Sequence, residues 1–160
     1  VGVNSAVPTP PLIAWGQLGK DQLARLARIL DRLSAAKLFR LVMIHPPPLP
    51  GQSDRYRGLK DAAEMKAVLE SHGAELVIHG HHHYNTLAWC RSPEGRALPI
   101  VGAPSAALGS HYKNEPLARY NLYRIDAGSR TAELIGRGLA APGGGIVELE
   151  RRMLVPEAHP

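Results

Sequence analysis

Between positions 21 and 33 the apolar residues Leu23, Leu26, Ile29, Leu30 and Leu33 recur at helical spacing, while Arg25, Arg28, Asp31 and Arg32 hold the opposite face. That pattern predicts an amphipathic helix. Residues 38–44 follow as a nearly unbroken apolar run with one Arg, which suits a strand buried on both sides. The run ends in His45-Pro46-Pro47-Pro48, and consecutive prolines cannot continue a sheet ladder. A second helix is predicted over about 60–71, with Ala62, Met65, Val68 and Leu69 on its apolar face and Gly73 at its C-terminal end. Residues 75–78 read as another short buried strand.

Beyond this point the pattern changes to paired short strands. Residues 86–90 and 98–101 flank a turn of Ser92, Pro93, Glu94 and Gly95, and residues 120–125 and 131–135 flank Asp126-Ala127-Gly128-Ser129. Both read as hairpins. The run 140–145, with Pro142 and three glycines, reads as a flexible joint before a strand-like or tail segment over 146–155. The first 19 residues hold Pro8, Pro10, Pro11 and Gly16 and read as loop after a short strand at 1–4. The expected fold is α/β in the first half and antiparallel in the second, a mixed sheet with helices on one face. Two segments are expected, a main body over 1–139 and a joint with tail over 140–160.

Composition narrows the class. A chain of 160 residues with 44% hydrophobic and 21% charged residues is that of one globular domain with a sizeable core. Its apolar runs are too short for a membrane span, so no membrane partner is expected. Val1 is not an initiator Met and no leader pattern follows it, so the chain is expected to continue upstream. The single Cys90 fits a reducing compartment, and the expected location is cytoplasmic. The formal charge of +5 comes from scattered residues without interleaved aromatics, which argues against a nucleic-acid polymer. A positive field still favours a small anionic substrate.

Eight histidines are present, and four stand within five positions: His79, Gly80, His81, His82, His83. They follow directly on the strand at 75–78, just as His45 follows the strand at 38–44. If the two strands are adjacent and parallel, their ends bring His45 and the cluster to the edge where open α/β sheets bind ligands. Imidazole is the commonest ligand for borderline transition metals. In an extended segment, residues two apart face the same way, about 6.5–7 Å apart, so His81 and His83 can aim at one site while His82 points away. Gly80, lacking Cβ, lets the backbone turn just before them. A lone histidine after a strand is more often structural, and so is a bare HxH pair. The coincidence of both at equivalent ends of two strands makes His45, His81 and His83 the candidate metal ligands.

In their order these segments resemble the calcineurin-like metallophosphoesterases, in particular the bacterial branch similar to cyclic-nucleotide phosphodiesterases. Trp15-Gly16-Gln17-Leu18, with Gln22-Leu23 in the helix, is similar to the family's segment before its long helix. Leu41-Val-Met-Ile-His45-Pro-Pro-Pro-Leu49-Pro50 resembles its apolar strand ending in a metal-binding His. Val77-Ile-His79-Gly80-His81-His82-His83 resembles its GHxH motif. The resemblance spans about residues 1–139. Pro46 stands where the branch usually has a second His, and the family's DxH, GDxxD and GNH(D/E) motifs are absent.

The resemblance implies a β-sandwich flanked by helices, of which this chain carries the C-terminal half. It also implies a metal-dependent hydrolase of phosphoesters, a phosphodiesterase or phosphatase acting on a small nucleotide-like substrate. Two transition metal ions, manganese, iron or zinc, would work in the full-length protein. His45 and His81 would hold one and His83 the other. A metal-bound hydroxide would attack phosphorus. Without the bridging carboxylate, this chain alone is expected to bind at most one metal, weakly, and to be inactive. No catalytic residue proper is assigned within it. His79, Gly80 and His82 would support the ligands or face substrate, and His111 in its loop would face substrate or solvent. The missing half would leave Leu41, Val42, Ile44, Val77 and Ile78 on a sheet face to be covered by the upstream segment, another chain or a second copy. The other class of reading is a non-catalytic metal-binding or interaction domain.

Overall fold

A computed structural model of the chain describes residues 1–154. The expected tail beyond residue 154 lies outside the described residues. The elements run α1 (Lys20–Ala35), β1 (Leu41–Met43), α2 (Ala62–His72), β2 (Leu76–His79), β3 (Thr86–Arg91), β4 (Ala97–Gly102), β5 (Arg119–Asp126), β6 (Thr131–Leu139) and β7 (Ile146–Met153). They form two sheets, ordered β1-β2-β4-β3 and β5-β6-β7. In the first, β1, β2 and β4 are parallel and β3 runs antiparallel to β4. The second is antiparallel throughout. The fold is mixed α/β, two sheets with few helices.

Alternation along the strands decides which layer each residue joins. Val42, Ile44, Val77, Leu98 and Ile100 face α1 and α2, meeting Leu23, Leu26, Leu30, Met65 and Leu69 in the larger core. Leu76 and Val101 face the other way and pack on Ala132, Leu134 and Leu154, with Leu41, Ile78, Leu87 and Tyr123 at the margin. This corrects the expectation of an uncovered sheet face. The chain supplies its own second layer, because β5, β6 and β7 fold back over the first sheet as its β-sandwich partner. Val42 and Val77 are fully buried.

Strand β1 is shorter than the apolar run that predicts it. Arg40 leaves the ladder because its amide donates to Glu75 Oε2 at 2.6 Å, and Leu38 is exposed. The expected joint before β7 is a connection closed by Gly144 N–H donating to the Ala141 carbonyl at 3.1 Å. Strand β7 then pairs with β6 from residue 146 to 153, with a bulge opposite Gly136 and Arg137. The segment at 1–4 runs along β1: Val3 N–H donates to the Met43 carbonyl at 3.0 Å, and Met43 N–H to the Val1 carbonyl at 2.9 Å. Among the described residues no helix is long and apolar enough to cross a membrane.

Candidate metal centre

The parallel register sets the site. Leu41, Val42 and Met43 pair with Leu76, Val77 and Ile78, so both strands end at one edge. The pairing continues past β1: Ile44 N–H donates to the Ile78 carbonyl at 3.1 Å, and Gly80 N–H to the His45 carbonyl at 3.0 Å. His45 therefore lies against Gly80. A Cβ on Gly80 would meet His45 Nδ1 at 3.8 Å, an ordinary contact, so space is not what calls for glycine there.

Immediately afterwards the backbone turns sharply. His82 N–H donates to the Gly80 carbonyl at 3.0 Å, and His81 and His83 adopt left-handed φ of 74° and 59°. Such conformations cost a non-glycine residue of order 1–3 kcal/mol and gather at functional sites. Their effect is to turn His81 onto His45. The two rings meet edge to face with centroids 5.0 Å apart, and His81 Nδ1 lies 3.2 Å from His45 Nε2. His81 Nε2 is buried and has no hydrogen-bond partner.

The other histidines divide. His83 Nδ1 lies 2.9 Å from Glu115 Oε2, and His82 Nε2 lies 2.9 Å from Ser53 Oγ. His79 is buried with its ring above Gly102, where an added Cβ would come within 2.7 Å of His79 Cε1. Its Nδ1 is 3.2 Å from the Gly80 carbonyl oxygen, and its Nε2 has no partner. His111 is exposed in the loop after β4. So His45 and His81 come together, while His83 is turned to a carboxylate.

Burial and neighbouring charges disfavour the charged forms of His79, His81 and His82. Burial lowers the His81 pKa, and His45, His82, Arg57 and His83 lower it further. Burial also lowers His82, with Arg57 and His83 acting in the same direction against Asp54. His79 is lowered chiefly by its burial. Neutral imidazoles keep a lone pair for a ligand.

A cleft of about 250 Å³ opens on the pair, lined by Asn4, Ser5, Trp15, Gly16, His45 and His81 among others. Gly16 is required there, since a Cβ would stand 2.9 Å from Ser5 Cβ and 3.0 Å from Pro46 Cγ. Glu115, Ser53 and Arg57 are residues that sequence reasoning missed. They come from loops whose patterns carry no periodicity, and Glu115 reaches His83 across 32 positions.

No family model matches the sequence, and no curated protein matches it. Among solved structures, a crystal structure of a single-residue variant of Vps29 from Entamoeba histolytica covers 69% of this chain and 52% of its own, at 18% identity and TM-score 0.43. Wild-type Vps29 from the same organism, complexed with zinc, covers 95% of this chain and 96% of its own, at 15% identity and TM-score 0.37. Both neighbours are Vps29. The chain spans 52% of the first. Similarity of this degree carries nothing about chemistry, and function has to be argued from the site.

The donors test the expected metals directly. Among the described residues no group of three or more His, Cys, Asp or Glu is placed to hold a metal ion. The His45–His81 pair offers two nitrogens, and a tetrahedral or octahedral ion needs four to six donors. A two-metal centre does not fit this chain's residues by themselves. Among the described residues the buried Nε2 of His81 has no hydrogen-bond partner, and the left-handed backbone belongs to His81 and His83.

Proposed function

We propose that this chain is the histidine-bearing part of a metal-dependent phosphoester hydrolase whose remaining donors come from outside the described residues. The observation that carries the proposal is the His45–His81 pair at 3.2 Å, at the shared end of two parallel strands and held by a left-handed backbone. His45 and His81 supply two nitrogens to one ion. His83, oriented by Glu115, stands beside them as a donor for the same ion or a second one. The substrate is a small phosphoester, phosphodiester or phosphomonoester, and this chain by itself does not turn it over.

The test is a cobalt(II) titration followed by visible absorption. The wild-type chain is expected to give weak saturable binding, lost in both His45→Ala and His81→Ala. Binding unchanged in either variant would overturn the assignment. The chain's hydrolysis of a chromogenic phosphodiester with manganese is expected to stay at background. Turnover that depends on His81 would show the ligand set to be complete.

One observation favours the second reading, an interaction domain. The outer face of the second sheet exposes Tyr120, Leu122, Ile146 and Met153. Arg124, Glu133, Glu148 and Arg151 are paired among them. Loss of a protein partner on Leu122→Arg, with the cobalt titration silent in the wild type, would favour that reading over the hydrolase.

A further inference from the structure

The cleft that opens on the His45–His81 pair has two walls, residues 3–6 and residues 14–16, and a floor of His45, Pro46 and His81. The walls are tied together and to the rest of the fold. Gln17 N–H donates to the Ser5 carbonyl at 3.0 Å, Gly16 N–H to the Gly58 carbonyl at 3.0 Å, Ala14 N–H to the Tyr56 carbonyl at 2.8 Å, and Lys60 N–H to the Gly16 carbonyl at 2.9 Å. Gly16 sits so tightly against Ser5 and Pro46 that no side chain fits there. The indole of Trp15 is braced as well, with Lys60 Nζ 3.4 Å from its ring centroid. Lys60 does not line the cleft, so its ammonium holds the ring from outside.

The lining decides what such a space accepts. Three aromatic rings border it, Trp15, His45 and His81, and among the described residues no Asp, Glu, Lys or Arg does. Val3, Ala6, Ala14 and Pro46 supply most of the remainder, with Asn4 and Ser5 as the other polar residues. A charged group entering here would lose water and find no counter-charge. An uncharged flat ring would meet aromatic partners and apolar walls. The size sets a second limit. Pockets for drug-sized ligands run from about 300 to 1,000 Å³, and this cleft has about 250 Å³, so it suits one ring system rather than a whole large ligand.

We propose that this cleft is an aromatic-group subsite, in which Trp15 packs against a flat, uncharged ring carried by the phosphoester whose phosphate lies at the His45–His81 pair. It rests on the phosphoester reading of this edge and deepens it, by setting the substrate class to esters of an aryl alcohol or a nucleoside. Trp15 is then a specificity residue that positions the ester and takes no part in bond cleavage.

The chain, held in EDTA, is titrated with 1-naphthol, adenosine and cyclohexanol while the ring resonances of Trp15, His45 and His81 are followed by nuclear magnetic resonance. Saturable shifts are expected with 1-naphthol or adenosine and not with cyclohexanol, and the tighter of the first two tells an aryl from a nucleoside ester. Trp15→Leu should weaken binding by about tenfold or more, the scale of losing an aromatic stacking partner, and Trp15→Phe by less. Ala14→Leu, an exposed wall position, should weaken it by narrowing the cleft while leaving the core intact. No saturable shift with either aromatic probe, equal binding of cyclohexanol, or wild-type affinity in Ala14→Leu or in a folded Trp15→Leu would overturn the proposal. The cobalt titration of the wild type keeps the two readings apart. Cobalt uptake without probe binding removes the subsite alone, and probe binding without cobalt uptake upholds the aromatic cleft and removes the hydrolase.

Discussion

His45 Nε2 and His81 Nδ1 face each other at 3.2 Å although 36 positions separate them in the chain. One of the two nitrogens has to carry the hydrogen, so the tautomers of the two rings are linked. Replacing either residue leaves the other ring with an unmatched nitrogen, on the exposed His45 or on the half-buried His81. In EDTA, the stability losses of His45→Ala and His81→Ala should therefore not add. Urea unfolding of the two single variants and the double variant should give a coupling of about 0.5–1 kcal/mol. Losses that add within error would show that the contact has no energetic content.

Glu115 holds His83 by Nδ1, which leaves Nε2 as the nitrogen free to meet a ligand. Glu115→Gln keeps the size and removes the charge. If His83 is a donor, cobalt affinity should fall by roughly tenfold or more, the usual effect of losing such a supporting carboxylate. Affinity equal to wild type would remove His83 from the ligand set.

Much of the framework could be read from periodicity, and the reason is visible in particular residues. Leu23, Leu26 and Leu30 repeat at helical spacing and are the buried residues of α1. The apolar runs ending at His45 and at His79 are strands because both of their faces are covered, by helices on one side and the second sheet on the other. That second sheet as a covering layer was not legible. Strand β7 has mostly exposed residues with mixed charge, Ile146 to Met153, so no apolar face announced its partner. The meeting of His45 and His81 followed from the equivalent positions of the two histidines. The turning aside of His83 did not, because it depends on Glu115, in a loop whose path no local rule sets.

Gly102 shows how closely the site edge is packed. It pairs with His79 on one side and Thr86 on the other. A Cβ there would come within 2.2 Å of Thr86 Oγ1 and 2.7 Å of His79 Cε1. Gly102→Ala should cost about 1–3 kcal/mol by overpacking and displace the His79 ring. Adding Thr86→Gly, which removes the nearer obstacle, should recover part of that loss against the Thr86→Gly background. Thermal melts of the four proteins in EDTA check this, and a harmless Gly102→Ala would mean that the edge is looser than its distances indicate.

At the opposite end of the first sheet, Arg40 and Glu75 form the fold's most buried ion pair, with side chains 1% and 8% exposed. Glu75 Oε1 accepts from Arg40 Nη2 at 2.9 Å, Oε2 accepts from the Arg40 amide at 2.6 Å and from Nε at 3.1 Å, and Arg40 Nη1 donates to the His72 carbonyl at 2.7 Å. Burial alone would raise the Glu75 pKa, but the Arg40 bonds and the charges of Arg40 and Arg130 outweigh it and hold the carboxyl below its ordinary value of 4.5. A carboxyl lowered in the folded state adds stability that is fully present above its unfolded pKa. That contribution is lost as pH falls from about 4.5 through the folded value. Unfolding free energies measured by urea between pH 7 and pH 3 should thus drop steeply below pH 4.5 in the wild type, and less steeply in Glu75→Gln. At pH 7, Glu75→Ala should cost about 3–5 kcal/mol by stranding the buried guanidinium, and the apolar double variant Arg40→Met, Glu75→Leu should recover much of the loss. A Glu75→Ala chain within about 1 kcal/mol of wild type, or an unchanged acid slope in Glu75→Gln, would mean that Arg40 finds water or another partner once Glu75 is gone.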